Sequence, residues 1–406
     1  MGEPIYGDTP QVPTMVVPGH EHVHYDFNDG LRVLIDKDAP HPYRVRFYDA
    51  PSGVQCHDQL VEPGTIVTSN KKYYVKWRLL ITHEDGLVLD HTLDLSGRHV
   101  LVQCPGIKSA AIGDTVAMVC SIRKFAIVHD GASVSVAMNT TLSRLFSTPL
   151  VEFLPHAETL NTDWYATYRL GLFWHDEEHD KCPVDHRLAG NFRAYAYILG
   201  VQDCGLPEEP PRLEYPVERT IPEPYVCIGV QASSACKMWM GDNFRGWANL
   251  VRWLKSTGRR VLCIDKEPCT ASGTFHMEIP HDAEDYTGDR PLAERLQLLR
   301  HADCYVGGSS GLSWLAWCAG CPVVMISGFT EDWNEFPTPY RVRLRMSCSG
   351  CWNDVRHEFD HKSMLWCPRH MDEEARRFEC SRLVTSRLVI DTIRQIPAFA
   401  DTQGAP

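Results

Sequence analysis

The chain has 406 residues and a formal net charge of −12, the wrong sign for nucleic acid or an anionic membrane as principal partner. No stretch approaches the ~18 apolar residues of a membrane span, and the opening twenty residues lack the basic-then-apolar order of a signal peptide, so a soluble cytoplasmic protein is expected. Sixteen cysteines would suit a disulfide scaffold only in a far smaller chain. Several (Cys104, Cys227, Cys263, Cys304) lie in apolar runs, where reduced cysteine acts as a small hydrophobe.

Residues 1–20 carry four prolines and little periodicity, the mark of an extended arm. From about residue 23 to 100 the signal is a series of short β segments at 31–35, 43–48, 65–68, 73–82 and 87–95. Asp85-Gly86 is a hairpin signal between the last two. This predicts a small β-rich module over 1–99. Its Asp36-Lys37-Asp38 spells D-x-D, a metal motif in some sugar transferases, but the setting reads as a solvated hairpin end. Residues 100–103 then form a buried strand, 115–125 a helix and 133–138 a further strand, with Asp114 at or beside the helix start. Aspartate is a common N-cap. A carboxylate beyond the C-terminal end of a parallel strand also sits where open α/β sheets keep their chemistry.

Residues 188–199 read as a helix ended by Gly200. The run His175-Asp176-Glu177-Glu178-His179-Asp180 reads as a solvated loop. Six prolines among acidic residues over 207–224 mark an interdomain linker. Beyond it, 226–231 is a strand, Asp242 is an expected helix cap, 260–265 is a strand and Pro291 opens a helix. These lead to 304–326, a βαβ unit whose turn is Gly307-Gly308-Ser309-Ser310-Gly311. A glycine-and-hydroxyl loop entering a helix N-terminus suits a phosphate, because backbone N–H groups and the positive helix end converge there. Lys237 lies beyond the first strand of the same domain, so lysine and loop could reach one diphosphate. The loop is neither a Walker A sequence nor GxGxxG.

Cys348 and Cys351, followed by Cys367 and Cys380, are spaced as a closed four-thiolate metal site. With no vacancy for substrate, such a site is structural. Tetrahedral sulfur holds zinc or iron, and His357, His361 or His370 could replace one ligand. Residues 383–393 predict a last amphipathic helix, apolar at Leu383, Val384, Leu388, Val389 and Ile393.

The chain resembles the bacterial autotransporter heptosyltransferases over roughly residues 20–395. The resemblance is carried by 107–114, 232–239, Ser310-Gly311-Leu312-Ser313-Trp314-Leu315-Ala316-Trp317, Glu335-Phe336-Pro337-Thr338-Pro339-Tyr340-Arg341-Val342 and the Cys348–Cys380 segment. It implies an α/β GT-B glycosyltransferase with a β module (1–99), two Rossmann-like domains (100–215 and 216–345), a four-cysteine metal finger (346–382) and a C-terminal helix and tail (383–406). It implies Asp114 as catalytic base, Lys237 as a diphosphate-binding residue, Ser310, Gly311 and Leu312 as the phosphate cradle, and structural iron at Cys348, Cys351, Cys367 and Cys380; the loop's own hydroxyls add Ser309 to the donor-binding residues. It further implies inverting transfer from ADP-heptose, without a metal on the diphosphate, to serine hydroxyls of autotransporter passenger domains, by a large homo-oligomer in the bacterial cytoplasm. The related lipopolysaccharide enzymes commonly carry Asp-Thr-Gly-Leu-x-His where this chain has Ser309-Ser310-Gly311-Leu312-Ser313-Trp314. Two other readings fit the same residues: a GT-B transferase with a different donor or acceptor, and a non-catalytic assembly factor for autotransporters.

Overall fold

The computed structural model describes residues 6, 9–84, 86–105, 111–138, 143–146, 148–155, 163–273, 275–360 and 362–402. Asp85, residues 106–110 and His361 lie outside the described residues. The chain divides into two compact units. One comprises Met1–Ala110, Ala117–Arg144 and Thr148–Pro207; the other comprises Ala111–Val116, Leu145–Ser147 and Glu208–Pro406. The main break, at Pro207, falls at the start of the proline-rich stretch.

In the first unit one sheet runs in the order Glu152–Leu154, Ser133–Ala137, His99–Gln103, Ala166–Arg169, His20–Asn28, Arg32–Ile35 and Thr65–Thr68, with Met15–Val17 pairing beside His20–Asn28. It is parallel through His20–Asn28 and antiparallel beyond. Val100, Leu101 and Val102 are all buried, as expected of a parallel strand covered on both faces. The parallel part thus continues into strands of the N-terminal β region. Their junction is pinned by buried polar groups: the Arg32 guanidinium donates to both Asp26 oxygens (2.8 and 2.5 Å), and the Asn28 amide donates to Asp26 and to the Trp164 carbonyl. A second sheet, Gln55–Val61, Tyr43–Asp49, Trp77–His83 and Gly86–Thr92, is antiparallel. It alternates as such sheets do: Tyr43, Val45, Phe47, Trp77, Leu79 and Ile81 point inward, while Arg44–Asp58 and Arg78–Asp90 pair across strands on the outer face.

One expected element in this unit changes form, and the solvated 175–180 loop keeps it. The 188–199 helix is two pieces, His186–Ala189 and Asn191–Ile198, because Gly190 takes a left-handed φ of 81° between them. In the 175–180 run the Asp176 carboxylate accepts N–H groups from Asp180, Lys181 and Cys182, folding the loop on itself.

The second unit holds a six-stranded parallel sheet, ordered Glu284–Asp285, Arg260–Cys263, Tyr225–Gly229, Tyr305–Gly308, Val323–Ile326 and Arg341–Val342. Helices Gly246–Ser256, Leu292–His301 and Gly311–Cys318 alternate with the strands. The sheet is first built outward from Tyr225–Gly229 in one direction; the chain then returns to pair Tyr305–Gly308 on the opposite side. The strand order therefore reverses between these two central strands. The cysteines of the core, Cys227, Cys263, Cys304 and Cys321, are buried, and burial pushes their thiols up. Gly307 and Gly308 belong to the strand, not to the loop. Gly320, at φ 74°, ends the Gly311–Cys318 helix as expected.

Asp242 does not cap the helix that follows it. Asp242, Asn243 and Phe244 all have positive φ (50°, 54° and 66°), and the helix begins at Gly246. The Asp242 carboxylate instead accepts the N–H of Ser386 at 3.0 Å, at the start of the Ser386–Ile393 helix. In that last helix Val389 and Ile393 are buried, and Val384 just before it, whereas Leu383 and Leu388 face outward.

Candidate active site

A ligand of an open parallel sheet is expected beyond the carboxyl ends of the strands at the point where their order reverses. Here the loops at that point are the ones after Tyr225–Gly229 and Tyr305–Gly308. The first carries Lys237 at the end of a single 3₁₀ turn, Ala235–Lys237. The second is Ser309-Ser310, which delivers Gly311 and Leu312 as the first residues of the Gly311–Cys318 helix. Lys237, Ser309, Ser327, Thr330 and Ser381 share one recess with about 290 Å³ of empty volume.

Glycines allow the loops to close on each other. A Cβ on Gly308 would lie 2.2 Å from the Lys237 carbonyl oxygen, so only glycine lets that backbone rest on the strand. Lys237 extends over the Phe329 ring, with its ammonium 5.7 Å from the centroid. The next loop, Ser327 to Thr330, is held by Glu335. Its buried carboxylate accepts from Thr330 and pairs with Arg341 at 2.7 Å.

Asp114 lies in the first turn of the helix Ile112–Val128, within the segment that packs with the second unit. Gly113 is pressed against the Trp314 indole, where a Cβ would come within 2.8 Å, and Ile112 lies against Gly311. These contacts bring the start of one helix to the start of the other. Burial pushes the Asp114 carboxyl up to about 6, and the Lys237 charge pulls it back. The side chain is closely surrounded yet keeps an edge open to water. A carboxylate so tuned can accept a proton near neutral pH, and a lysine in range can stabilise an anion.

The four cysteines form a common electrostatic neighbourhood. The Cys380 thiol is raised by burial and then by Cys348, Cys351, Cys236 and Cys367; burial likewise pushes Cys351 up to about 12, against the pull of Arg369. The Phe378 N–H donates to Cys367 Sγ at 3.3 Å. Cys351 and Cys367 are buried and Cys348 and Cys380 half-buried, and a group of four thiols fits a cation as counter-charge once they ionise. Among the described residues no three of these sulfurs lie within 4.8 Å of one another, whereas one other set of donors does. Among the described residues the donor atoms of His22, Asp36 and Asp38 do lie within 4.8 Å of one another, in the first unit. There Asp36 pairs with His24 at 2.9 Å and Asp38 is largely exposed, as a hairpin end should be.

Residues 19–85 match the family model described as glycosyltransferase TibC, N-terminal domain, and 164–364 match glycosyltransferase family 9 (heptosyltransferase). Over 395 residues the chain is 42% identical to autotransporter heptosyltransferase Aah of Escherichia coli, covering 96% of each. The chain belongs to the autotransporter heptosyltransferase family. A crystal structure of another autotransporter heptosyltransferase, dodecameric iron-containing TibC in complex with ADP-D-beta-D-heptose, superposes with a TM-score of 0.87 at 38% identity, over 96% of this chain and 98% of that one. The fold is accordingly GT-B, as expected. The family also contains the inactive autotransporter heptosyltransferase BimC of Burkholderia thailandensis, 37% identical over 94% of this chain and 88% of its own length. Family membership alone therefore does not decide turnover; the site residues must.

Sequence reasoning missed Phe329, Thr330 and Ser381. The first two follow a buried strand just as Ser309 does, a signal that could have found them; Ser381, beside Cys380, gave none.

Proposed function

We propose that this chain is a bacterial cytoplasmic protein O-heptosyltransferase that moves heptose from ADP-heptose to serine hydroxyls of autotransporter passenger domains. The observation that carries the reading is the coupling of Asp114 to Lys237 at the reversal point of the parallel sheet. Asp114 takes the proton of the acceptor serine as its oxygen attacks the anomeric carbon. The bond to the ADP oxygen breaks on the opposite face, so the anomeric centre inverts. Lys237, the hydroxyls of Ser309 and Ser310, and the helix N-terminus at Gly311 and Leu312 receive the charge that develops on the departing diphosphate.

Cys348, Cys351, Cys367 and Cys380 would hold a structural iron, consistent with their donor chemistry and with iron-containing TibC. Four thiolate donors would leave such an ion no open position for substrate, so its role would be to fix the fold of the surrounding loops. A homo-oligomeric assembly follows from the same likeness, TibC being dodecameric.

The test is the intact mass of an autotransporter passenger fragment incubated with the protein and ADP-heptose, with Asp114→Asn in parallel. Heptose-sized mass gains with the wild type, absent with the variant, are expected. A second reading, an assembly factor without turnover, is favoured by inactive BimC at 37% identity. It predicts passenger binding with no mass gain.

A further inference from the structure

The loop carrying Lys237 does not hold itself. Its 3₁₀ turn is three residues long, and Ser234 before it offers no side-chain cap. A turn this short has little stability of its own. Its support comes from the four-cysteine region. On the entry side, the Met364 carbonyl, three residues before Cys367, accepts the Ala235 N–H at 2.9 Å and the Ser234 hydroxyl at 3.2 Å. On the exit side, Ser381, the neighbour of Cys380, donates to the Met238 carbonyl at 2.6 Å and accepts the Met240 N–H at 3.0 Å. The Trp239 indole donates to the Val384 carbonyl at 2.7 Å. The recess wall is held in the same way, because a Cβ on Gly328 would meet the Cys380 carbonyl at 2.8 Å.

Ser381 is buried, and its hydroxyl is committed to two backbone groups instead of to a ligand. We propose that Ser381 and the Met364 carbonyl are positioning elements of the donor site. They hold Lys237 where a nucleoside diphosphate needs it, which makes an intact four-cysteine unit a condition of donor binding as well as of folding. This rests on the reading of Lys237 as a diphosphate ligand. Removing the Ser381 hydroxyl leaves the Met238 carbonyl and Met240 N–H buried without partners, which the loop can relieve only by moving. The penalty for a buried polar group left without a partner is on the order of tenfold to a hundredfold in an equilibrium.

The experiment compares wild type, Ser381→Ala and Lys237→Ala as metal-loaded full-length proteins, measuring metal content and ADP affinity by calorimetry well below the melting temperature. The expected result is full metal content in Ser381→Ala with ADP affinity reduced about tenfold to a hundredfold, and weak ADP binding in Lys237→Ala. Should Ser381→Ala not yield folded protein, Ser234→Ala, which removes the hydroxyl that donates to the Met364 carbonyl, takes its place under the same criterion. Wild-type ADP affinity in a metal-replete Ser381→Ala, beside a weakened Lys237→Ala, overturns the proposal and leaves the donor reading standing. Wild-type affinity in Lys237→Ala overturns both.

Discussion

Asp114→Asn should cost the protein its activity and add to its stability. Burial holds the carboxyl at about 6 instead of 3.8. As the proposed base, Asp114 would act in its ionised form: about ten in eleven of its side chains are charged near pH 7 and about one in eleven near pH 5, so the wild-type rate should fall about tenfold across that interval. Stability has the opposite sign. A folded pKa raised above the unfolded one favours the native state fully below the unfolded value of 3.8, and that benefit is lost as pH rises through about 6. A shift of about two units corresponds to about 3 kcal/mol, and the water-open edge of the side chain reduces it to on the order of 1–2 kcal/mol. Asparagine is neutral throughout. The variant should therefore melt above the wild type near pH 8 and with it near pH 4, while its turnover falls at least ~100-fold. Initial rates of ADP release across pH, paired with thermal melts at both ends, test this. Wild-type turnover in the variant, or a wild-type rate flat between pH 5 and 7, would refute the assignment.

Three further outcomes follow from the same geometry. Lys237→Ala should weaken ADP binding and also move the acid limb of any residual activity to higher pH, since the lysine charge is what lowers the Asp114 pKa; a pH–rate profile reads this directly. Gly308→Ala should fold yet bind ADP at least ~10-fold more weakly, because the new methyl would lie 2.2 Å from the Lys237 carbonyl; unchanged affinity in calorimetry would count against the packing of that loop. Removing metal by chelation under reducing conditions, or by Cys351→Ser, should lower the melting temperature; metal-free protein with an unaltered melt would rule out a structural role.

The parallel strands were legible because burial on both faces leaves continuous apolar runs such as Val100–Leu101–Val102 and Val323–Val324–Met325–Ile326. The phosphate-type turn was legible because glycine and serine interrupt such a run just before a helix. What failed were positions where tertiary partners override local preference. Asp242 looks like an N-cap in sequence, but its carboxylate serves a helix start 144 residues away. Leu383 and Leu388 suit an apolar helix face, yet the burial falls on Val384, Val389 and Ile393. Asp114 and Lys237 were readable as candidates; their effect on each other was not, because it depends on Gly113 meeting Trp314 across some two hundred residues of chain, a proximity no local pattern encodes. Ser381 was hidden for the same reason.

The distribution of the sixteen cysteines sets how this protein would age in air. The thiols packed within the parallel sheet are sealed and held protonated, so dissolved oxidants reach them slowly. Cys56 and Cys269 are exposed and would couple between molecules first. Cys204, Cys318, Cys348 and Cys380, partly accessible, would be next. A preparation losing reductant should therefore gain mixed dimers through Cys56 and Cys269, then lose any metal held at Cys348 and Cys380, while its central sheet is still intact.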